Sequence, residues 1–270
     1  MNKVFEHHIK KKFPFLLKEK FVLAISGGID SVALAYLCHQ MKMNFELAHC
    51  NFNLRGQESD DDEAFIEQLG SNLSIPVHVK KFETLQYAKE YKMSVQMAAR
   101  SLRYSWFNDL AEGNKFKYIV TAHHADDNFE TFLINLFRGT GLDGLLGIPE
   151  VNDNIVRPLL PFKREAIEKF AENFNLQWRE DSSNTSTKYV RNKIRQEVLP
   201  ILKKINPQLL ENFERTQTCL KQTKSIVDDR LNDVSHTVIQ QKGNDKVIFD
   251  IVALQKLDNT SAYLYELLHD

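Results

Sequence analysis

The sequence is poor in cysteine and has no long apolar run. The first absence argues against a disulfide-rich or zinc-knuckle protein, and the second against a membrane-spanning one. Among 270 residues only Cys38, Cys50 and Cys219 are cysteines, and none forms a C-x-x-C pair. A disulfide framework and a zinc knuckle are therefore not expected, and free thiols fit the reducing cytoplasm. No apolar run approaches the roughly 18 residues of a membrane helix, and the first residues lack the features of a secretion signal. We expect a cytoplasmic protein with no membrane partner.

The sequence also lacks an excess of either charge. Its formal net charge is -1, from 35 basic and 36 acidic residues. A binder of nucleic acid with this balance must use a local basic patch. The apolar content of 43% and charged content of 26% are typical of a globular protein. The length allows one large domain and part of another.

The first half of the chain alternates short apolar runs with longer helical patterns. The apolar runs predict strands at 21–25, 45–50, 76–82 and 118–123, and the helical patterns lie near 31–43, 58–72 and 92–112. This alternation predicts an α/β fold, a doubly wound parallel sheet with helices on both faces. In such folds ligands bind at the carboxyl ends of the strands.

The pattern changes after residue 150. We read a loop and a Pro-marked turn there, followed by a helix starting near Phe162 and a basic helix near residue 190. A catalytic domain is predicted over 1–207, and a helical linker with the start of a second domain over 208–270. Because the chain stops within an amphipathic helix pattern, the second domain is expected to be incomplete.

One hexapeptide joins the first strand to the first helix and predicts a phosphate site. It consists of Ser26, Gly27, Gly28, Ile29, Asp30 and Ser31. Two glycines let the backbone approach an anion, and the helix start offers unpaired N–H groups and a positive dipole end. Asp30 would repel bare phosphate but suits a Mg²⁺ ion placed between its carboxylate and pyrophosphate.

The Walker pattern with its lysine is absent from this loop. Transfer of the γ-phosphoryl group is therefore not favoured. The alternative interpretation is a glycine-rich turn in which Asp30 serves only as a partner of the helix dipole.

A second polar cluster follows the strand at 118–123. On a helix, Asp127 shares a face with both His124 and Glu130, three residues away on either side. Beside an ATP site these groups could hold Mg²⁺, bind an ammonium or accept a proton. Two plainer interpretations remain: acids that favour a helix start, and a transition-metal site.

The hexapeptide resembles the signature of the PP-loop ATP pyrophosphatases, and further motifs resemble the tRNA(Ile)-lysidine synthetase family within them. The resemblance covers roughly residues 20–205, with Phe52 standing where many members have His. In chain order the motifs are SGGIDS (26–31), AHCNFNLRGQESDDDEAF (48–65), AARSLRY (98–104), HHADDNFET (123–131), FRGTGLDGL (137–145), RPLLPFKREAI (157–167) and DSSNTSTKYVRNKIR (181–195).

The resemblance implies a reaction and its participants. ATP, bound along residues 26–31 with Mg²⁺ near Asp30, would adenylate carbon 2 of the wobble cytidine of tRNA(Ile) with a CAU anticodon. Free L-lysine would then displace AMP. Asp127 and Glu130 would hold the lysine, and His124 would lie in the same catalytic group. The assembly state is left open, with a homodimer among the options.

Arginines and lysines elsewhere in these motifs suit RNA and phosphate. Arg103, with Arg100 as the alternative, would stabilise charge near the phosphate or the activated base. A basic run suits phosphate contacts in RNA; it consists of Lys188, Arg191, Lys193 and Arg195. Exposed helix faces without such a role are the plainer interpretation of both groups.

Two rival functions stay open. A PP-loop tRNA thiolase would use cysteines for sulfur transfer, but Cys38 and Cys50 fall in apolar patterns typical of buried cysteine. A non-catalytic ATP-sensing module would bind ATP without needing Asp127 and Glu130.

Overall fold

The computed structural model describes residues 1–180, 190–243 and 246–269. A 3-10 turn occupies Pro14–Leu17 and a π-helical turn occupies Ile194–Val198. The other helices and strands, in chain order, are α1 Asn2–Lys12, β1 Phe21–Ala24, α2 Ile29–Gln40, β2 Phe45–Asn51, α3 Gln57–Leu73, β3 Val77–Lys81, α4 Thr84–Glu90, α5 Val95–Gly113, β4 Tyr118–Val120, α6 Ala125–Arg138, α7 Leu142–Leu145, β5 Val151–Asn152, β6 Ile155–Val156, α8 Arg164–Asn173, α9 Val190–Lys193, α10 Leu199–Ile205, α11 Leu209–Val238, β7 Ile239–Lys242, β8 Val247–Phe249, α12 Ile251–Leu254 and α13 Thr260–His269.

Six strands form one sheet in the order β3-β2-β1-β4-β6-β5. All neighbours in it are parallel except β5, which pairs antiparallel with β6 at the edge. Phe21 of β1 lies opposite Phe45 of β2 and Tyr118 of β4. The chain runs outward from β1 to β3 and then returns to place β4 on the other side of β1. The doubly wound sheet predicted from the sequence is confirmed, and its strand order reverses between β1 and β4, where such folds open a crevice.

Alternate residues of β1 enter different apolar cores, as the two-residue period of a strand requires. Phe21 and Leu23 pack with α1, α2, α3 and α8 on one face of the sheet. Val22 packs on the other face with Trp106 and Phe107 of α5. Helices therefore cover both faces and hold β1 rigidly beneath the loop that follows it.

The structure differs from the sequence prediction in several local elements. Helices α1 and α4 were not predicted, and the stretch after 150, expected to be a loop, contains the hairpin β5–β6. Its two-residue strands are too short to give a periodic pattern. Helix α8 begins at Arg164 rather than near Phe162, because the Asp126 carboxylate accepts a hydrogen bond from the Arg164 backbone N–H at 2.9 Å.

The chain divides into two compact units. The first comprises Met1–Ile134 with Gly147–Leu210, and the second comprises Asn135–Leu146 with Glu211–Asp270. The second unit contains most of α11 and the hairpin β7–β8, and its small core is built on Val234, Val238 and Leu254. The functional boundary between residues 207 and 208 stays a prediction. None of the described helices combines the length and the apolar character required to cross a membrane.

Candidate active site

A cavity of about 730 Å³ opens in the first unit at the carboxyl ends of β1, β2 and β4. Ser26, Asp30 and Ser31 line it from the loop and helix that follow β1. Its other walls come from the ends of β2 and β4 and from α5, α6 and the helical run after residue 190. The two motifs singled out in the sequence therefore meet in one cavity, as the sheet topology predicts.

The backbone of the hexapeptide is fixed by its own serines. Ser31 Oγ donates to the Gly28 carbonyl at 2.9 Å, and the Ser26 N–H donates to Ser31 Oγ at 3.2 Å. Gly27 has a φ of +89°, which residues with a side chain rarely adopt. Ile29 is buried in the core and anchors the start of α2. The first N–H groups of α2 are thereby held beside the cavity, an arrangement suited to an anion.

Asp30 is held by groups from two other motifs. Its Oδ2 accepts a hydrogen bond from Arg164 of α8, and its Oδ1 lies 3.6 Å from His124 Nε2. Oδ1 is buried and makes no hydrogen bond to any described residue. One carboxylate oxygen together with substrate phosphates is a usual environment for Mg²⁺. Among the described residues no three or more His, Cys, Asp or Glu side chains are arranged so that they could hold a metal ion by themselves. Asp30 Oδ1 therefore fits Mg²⁺ only if substrate phosphates supply further ligands.

His124 is buried among carboxylates. Its Nε2 lies 3.4 Å from Asp127 Oδ2, and its Nδ1 lies 3.9 Å from Asp126 Oδ2. Burial lowers the pKa of the His124 imidazole, but Asp127, Asp30 and Asp126 outweigh burial and hold that pKa above its usual value. The imidazole thus links the hexapeptide acid Asp30 to the acids of the second motif.

The acids of α6 divide into two groups by their partners. Asp126 faces away from the cavity, where its carboxylate receives the Arg164 N–H and the Lys203 ammonium at 2.5 Å. Asp127 lines the cavity, and Glu130, three residues later, is fully buried beside it. Asp126 therefore joins α8 and α10 to α6, while Asp127 at the cavity wall and the buried Glu130 form the acidic pair.

Arg195 bridges the acidic pair. Its Nη2 lies 2.6 Å from Asp127 Oδ1 and 2.9 Å from Glu130 Oε2, and its Nε lies 2.6 Å from Glu130 Oε1. Burial lowers the pKa of the Arg195 guanidinium, but Glu130 and Asp127 outweigh it and raise that pKa above the usual value. The family resemblance implied that these two carboxylates hold the ammonium of lysine. In the structure the guanidinium of Arg195 lies between them instead.

A π-helical turn positions Arg195. The helical run that begins with α9 widens at Ile194–Val198 before continuing as α10. Ile194 is buried, so the turn is anchored to the first unit next to the arginine. π turns inside helices frequently occur at functional sites. Nothing in the spacing of DSSNTSTKYVRNKIR signals this widening.

Arg103 lines the cavity from α5, and Arg100 does not. The guanidinium carbon of Arg103 lies 5.2 Å from the centre of the Phe52 ring, and that of Arg100 lies 4.9 Å from the Tyr104 ring. Tyr104 also lines the cavity. This part of the cavity lining therefore combines a cation, Arg103, with aromatic faces, which suits a nucleobase or its phosphate.

The predicted RNA-binding residues fall in different surroundings. Arg191 and Arg195 line the cavity, and Arg191 Nη2 donates to Thr131 Oγ1 at 2.6 Å. Lys193 is exposed and is not among the lining residues. Lys188 lies outside the described residues. Only part of the basic run is therefore placed to act at the cavity.

Sequence reasoning missed the long-range partners of the loop. Asp62 of α3 lines the cavity and receives Arg55 Nη2 at 2.6 Å and Arg179 Nε at 2.5 Å. The Arg179 backbone N–H donates to the Gly27 carbonyl at 3.0 Å. Arg55, Asp62 and Arg164 all lie in motifs already quoted, so the signal was present, but spacing alone gave no reason to pair them.

The cysteines are dispersed. Cys38 is buried in α2, and burial raises the pKa of its thiol. Cys50 lines the cavity, and burial raises its pKa to about 12, so the thiolate is scarce at neutral pH. Cys219 is exposed in the second unit. Neither cysteine of the first unit has the depressed pKa of a nucleophile.

Comparison with known proteins identifies the domain and its relatives. Residues 1–202 match the family model described as a PP-loop domain. A tRNA(Ile)-lysidine synthase from Bacteroides thetaiotaomicron is 41% identical over 262 residues, which cover 97% of this chain and 60% of that protein. A tRNA(Ile)-lysidine synthase from Porphyromonas gingivalis is 40% identical over 266 residues, covering 97% of this chain and 57% of that protein. The chain thus spans somewhat more than half the length of these curated relatives.

Among solved structures, a U34-tRNA thiolase from Methanococcus maripaludis superposes with a TM-score of 0.63 at 19% identity, covering 80% of this chain and 79% of that chain. At this identity the likeness concerns the fold alone.

Proposed function

The chain belongs to the PP-loop domain family, and from that premise we propose that it ligates free lysine to carbon 2 of the wobble cytidine of tRNA(Ile), consuming ATP and releasing AMP and pyrophosphate. The single observation that carries the proposal is the meeting of the hexapeptide and Asp127 around one cavity, with the buried Glu130 joined to Asp127 by Arg195. The names of the curated relatives, which match nearly the whole chain, support it.

The first step is adenylation of the tRNA. The carbonyl oxygen on carbon 2 of the cytidine attacks the α-phosphorus of ATP, the bond to the bridging oxygen breaks, and pyrophosphate leaves. The N–H groups at the start of α2 hold phosphate oxygens, and Arg103 faces the charge that develops. Asp30 Oδ1, buried and without a hydrogen-bond partner among the described residues, would hold Mg²⁺, which would supply positive charge for the leaving pyrophosphate.

The second step uses lysine. Its ε-amine has an ordinary pKa of about 10.4 and arrives mostly charged. Asp127 and Glu130 hold the ammonium and take up a proton, the neutral amine attacks carbon 2, and AMP leaves. Because Arg195 bridges the same carboxylates, its guanidinium has to release at least one of them for lysine to bind there.

The rival functions have weaker support. A thiolase needs a reactive cysteine, and burial raises the thiol pKa of both Cys38 and Cys50. An ATP-sensing module gives no reason for Asp127 at the cavity wall with the buried Glu130 beside it, since a buried charge is costly unless it is paired.

The proposal is tested by incubating the chain with ATP, labelled lysine and a set of tRNA transcripts. Label is expected on the wobble cytidine of tRNA(Ile) with a CAU anticodon, in amounts equal to the AMP released. A transcript in which that cytidine is replaced by uridine is the matched control. Formation of ADP and phosphate would refute the PP-loop chemistry, and label on another nucleotide would refute the substrate.

A further inference from the structure

We propose that α4 and α5 carry a single-stranded RNA track, a row of tyrosines flanked by cations that leads the substrate loop of the tRNA into the cavity. This inference rests on the proposed function, since it names where the tRNA of that reaction is held. It concerns residues Thr84–Tyr104, a segment that we call the α4–α5 arm and that lies outside the basic run at 188–195.

Two contacts and the spacing of a helix place the tyrosines of the arm in a row. The rings of Tyr87 and Tyr91 are 4.4 Å apart, and the Tyr87 hydroxyl lies 3.4 Å from Ser101 Oγ on α5. Ser101 precedes Tyr104 by three residues, so the two share a face of the helix. Tyr104 lines the cavity. The row therefore runs from the exposed Tyr91, through Tyr87 and Ser101, to the cavity wall.

The net positive charge of the arm is suited to binding the phosphates of RNA. Residues 84–104 contain four cations and one acid, a formal charge of +3, whereas the whole chain carries -1. Lys89, between Tyr87 and Tyr91 in the sequence, and Lys92, directly after Tyr91, are exposed, and Arg100 is exposed over the Tyr104 ring. Cations that follow a backbone and aromatic faces that stack on bases are the two components of single-strand binding sites.

Large apolar side chains of the arm are exposed to water, and a bound partner would cover them. The Tyr91 side chain is 56% exposed and Met97, on the same arm, is 61% exposed. A protein partner would also cover apolar residues, but the interfaces of proteins are depleted in lysine. The excess of cations beside the rings favours an RNA strand as the occupant.

The test measures binding of the tRNA(Ile) transcript to the 270-residue chain by fluorescence anisotropy over a range of salt concentrations. Tyr91→Ala is expected to weaken binding about tenfold, since a base stacked on an aromatic ring is lost, and Tyr91→Phe is expected to bind like the wild type. Replacing Lys89 and Lys92 together by Gln is expected to lower the slope of log affinity against log salt by about 1.4. ATP binding is expected to stay unchanged in all three variants.

A matched control replaces Lys10 and Lys11 of α1 by Gln, which removes the same charge elsewhere and should leave the salt slope unchanged. If Tyr91→Ala binds and modifies the tRNA as well as the wild type does, the proposed RNA track is refuted and the proposed function is unaffected. A Tyr91→Ala variant that changes only the assembly state would assign the row to a second copy of the chain and overturn the inference. A wild-type chain that binds no tRNA would overturn both proposals.

Discussion

The hexapeptide at 26–31 and the acidic pair of α6 meet at the same cavity but are built in different ways. The backbone of the hexapeptide is held largely by contacts that its own residues make, such as Ser31 Oγ with the Gly28 carbonyl, together with one hydrogen bond from the distant Arg179 N–H to the Gly27 carbonyl. The acidic pair is held by Arg195, which lies 65 residues beyond Glu130 in the chain. An anion site built from backbone depends mostly on its local sequence, whereas a site built from charged side chains depends on which distant residue the fold places beside them.

The largest effect is expected at Asp30, which His124 links to Asp127 of the acidic pair. Asp30→Ala removes the carboxylate assigned to Mg²⁺, so AMP formation should fall at least about a hundredfold, equivalent to about 2.7 kcal/mol in the barrier. The variant also frees Arg164 from one partner. The control is therefore Glu168→Ala, which removes the other, exposed partner of Arg164 and should leave the rate unchanged. A rate for Asp30→Ala within about threefold of wild type would contradict the metal role.

Arg195→Gln tests whether the acidic pair depends on its distant partner. Loss of the guanidinium leaves Asp127 and the fully buried Glu130 without their main cation. The free energy of unfolding should fall by about 2 kcal/mol, less than a fully buried pair would lose, because the Arg195 side chain keeps some access to water.

Adding free lysine to the Arg195→Gln variant tests whether the acidic pair binds an ammonium. If the pair binds an ammonium, added lysine should raise the melting temperature of Arg195→Gln more than that of wild type, since it no longer competes with the guanidinium. Nε-acetyl-lysine, whose side chain carries no charge, is the matched control and should not change the melting temperature. Equal responses of the variant and wild type to lysine would mean that the pair serves only to anchor the helix.

Gly27→Ala tests the local construction of the hexapeptide. At a φ of +89° a side chain strains the backbone by about 1–3 kcal/mol. The KM for ATP should rise about tenfold as the loop shifts, while the lysine response stays as in wild type. Gly113→Ala, at a helix end where an added Cβ meets nothing within 4 Å, is the control. An unchanged KM for ATP in a folded Gly27→Ala protein would argue against phosphate binding by this loop.

The smallest effect is expected from the cysteines. A variant with all three cysteines replaced by Ala or Ser should modify tRNA within about threefold of the wild-type rate, apart from a loss of stability where Cys38 is buried. The measurement is product formation at a temperature where circular dichroism finds the variant folded. Complete loss of activity in the folded variant would favour sulfur transfer.

The same division between local and distant contacts explains what the sequence could predict. The alternation of apolar runs and helical patterns predicted the four strands β1–β4 and the helices α2, α3 and α5, because strand and helix periods are local properties. The hairpin β5–β6 and the exact start of α8 were missed, because two-residue strands have no period and Asp126 of α6 sets the helix start. For the site, the residues of both motifs were predicted, but not the pairing of Asp30 with Arg164 or of Glu130 with Arg195.

We propose that the tRNA is adenylated at the hexapeptide and that the acidic pair then holds the lysine that displaces AMP. It is tested most directly by measuring AMP transfer to tRNA without lysine beside lysine-dependent product formation in Asp127→Asn and Glu130→Gln. Charge-assisted contacts are worth about 1.5–3 kcal/mol each, so each variant should use lysine from about tenfold to more than a hundredfold less well while AMP transfer is retained. Equal loss of both steps would place these acids with the metal, and loss of stability alone would reduce them to a helix anchor.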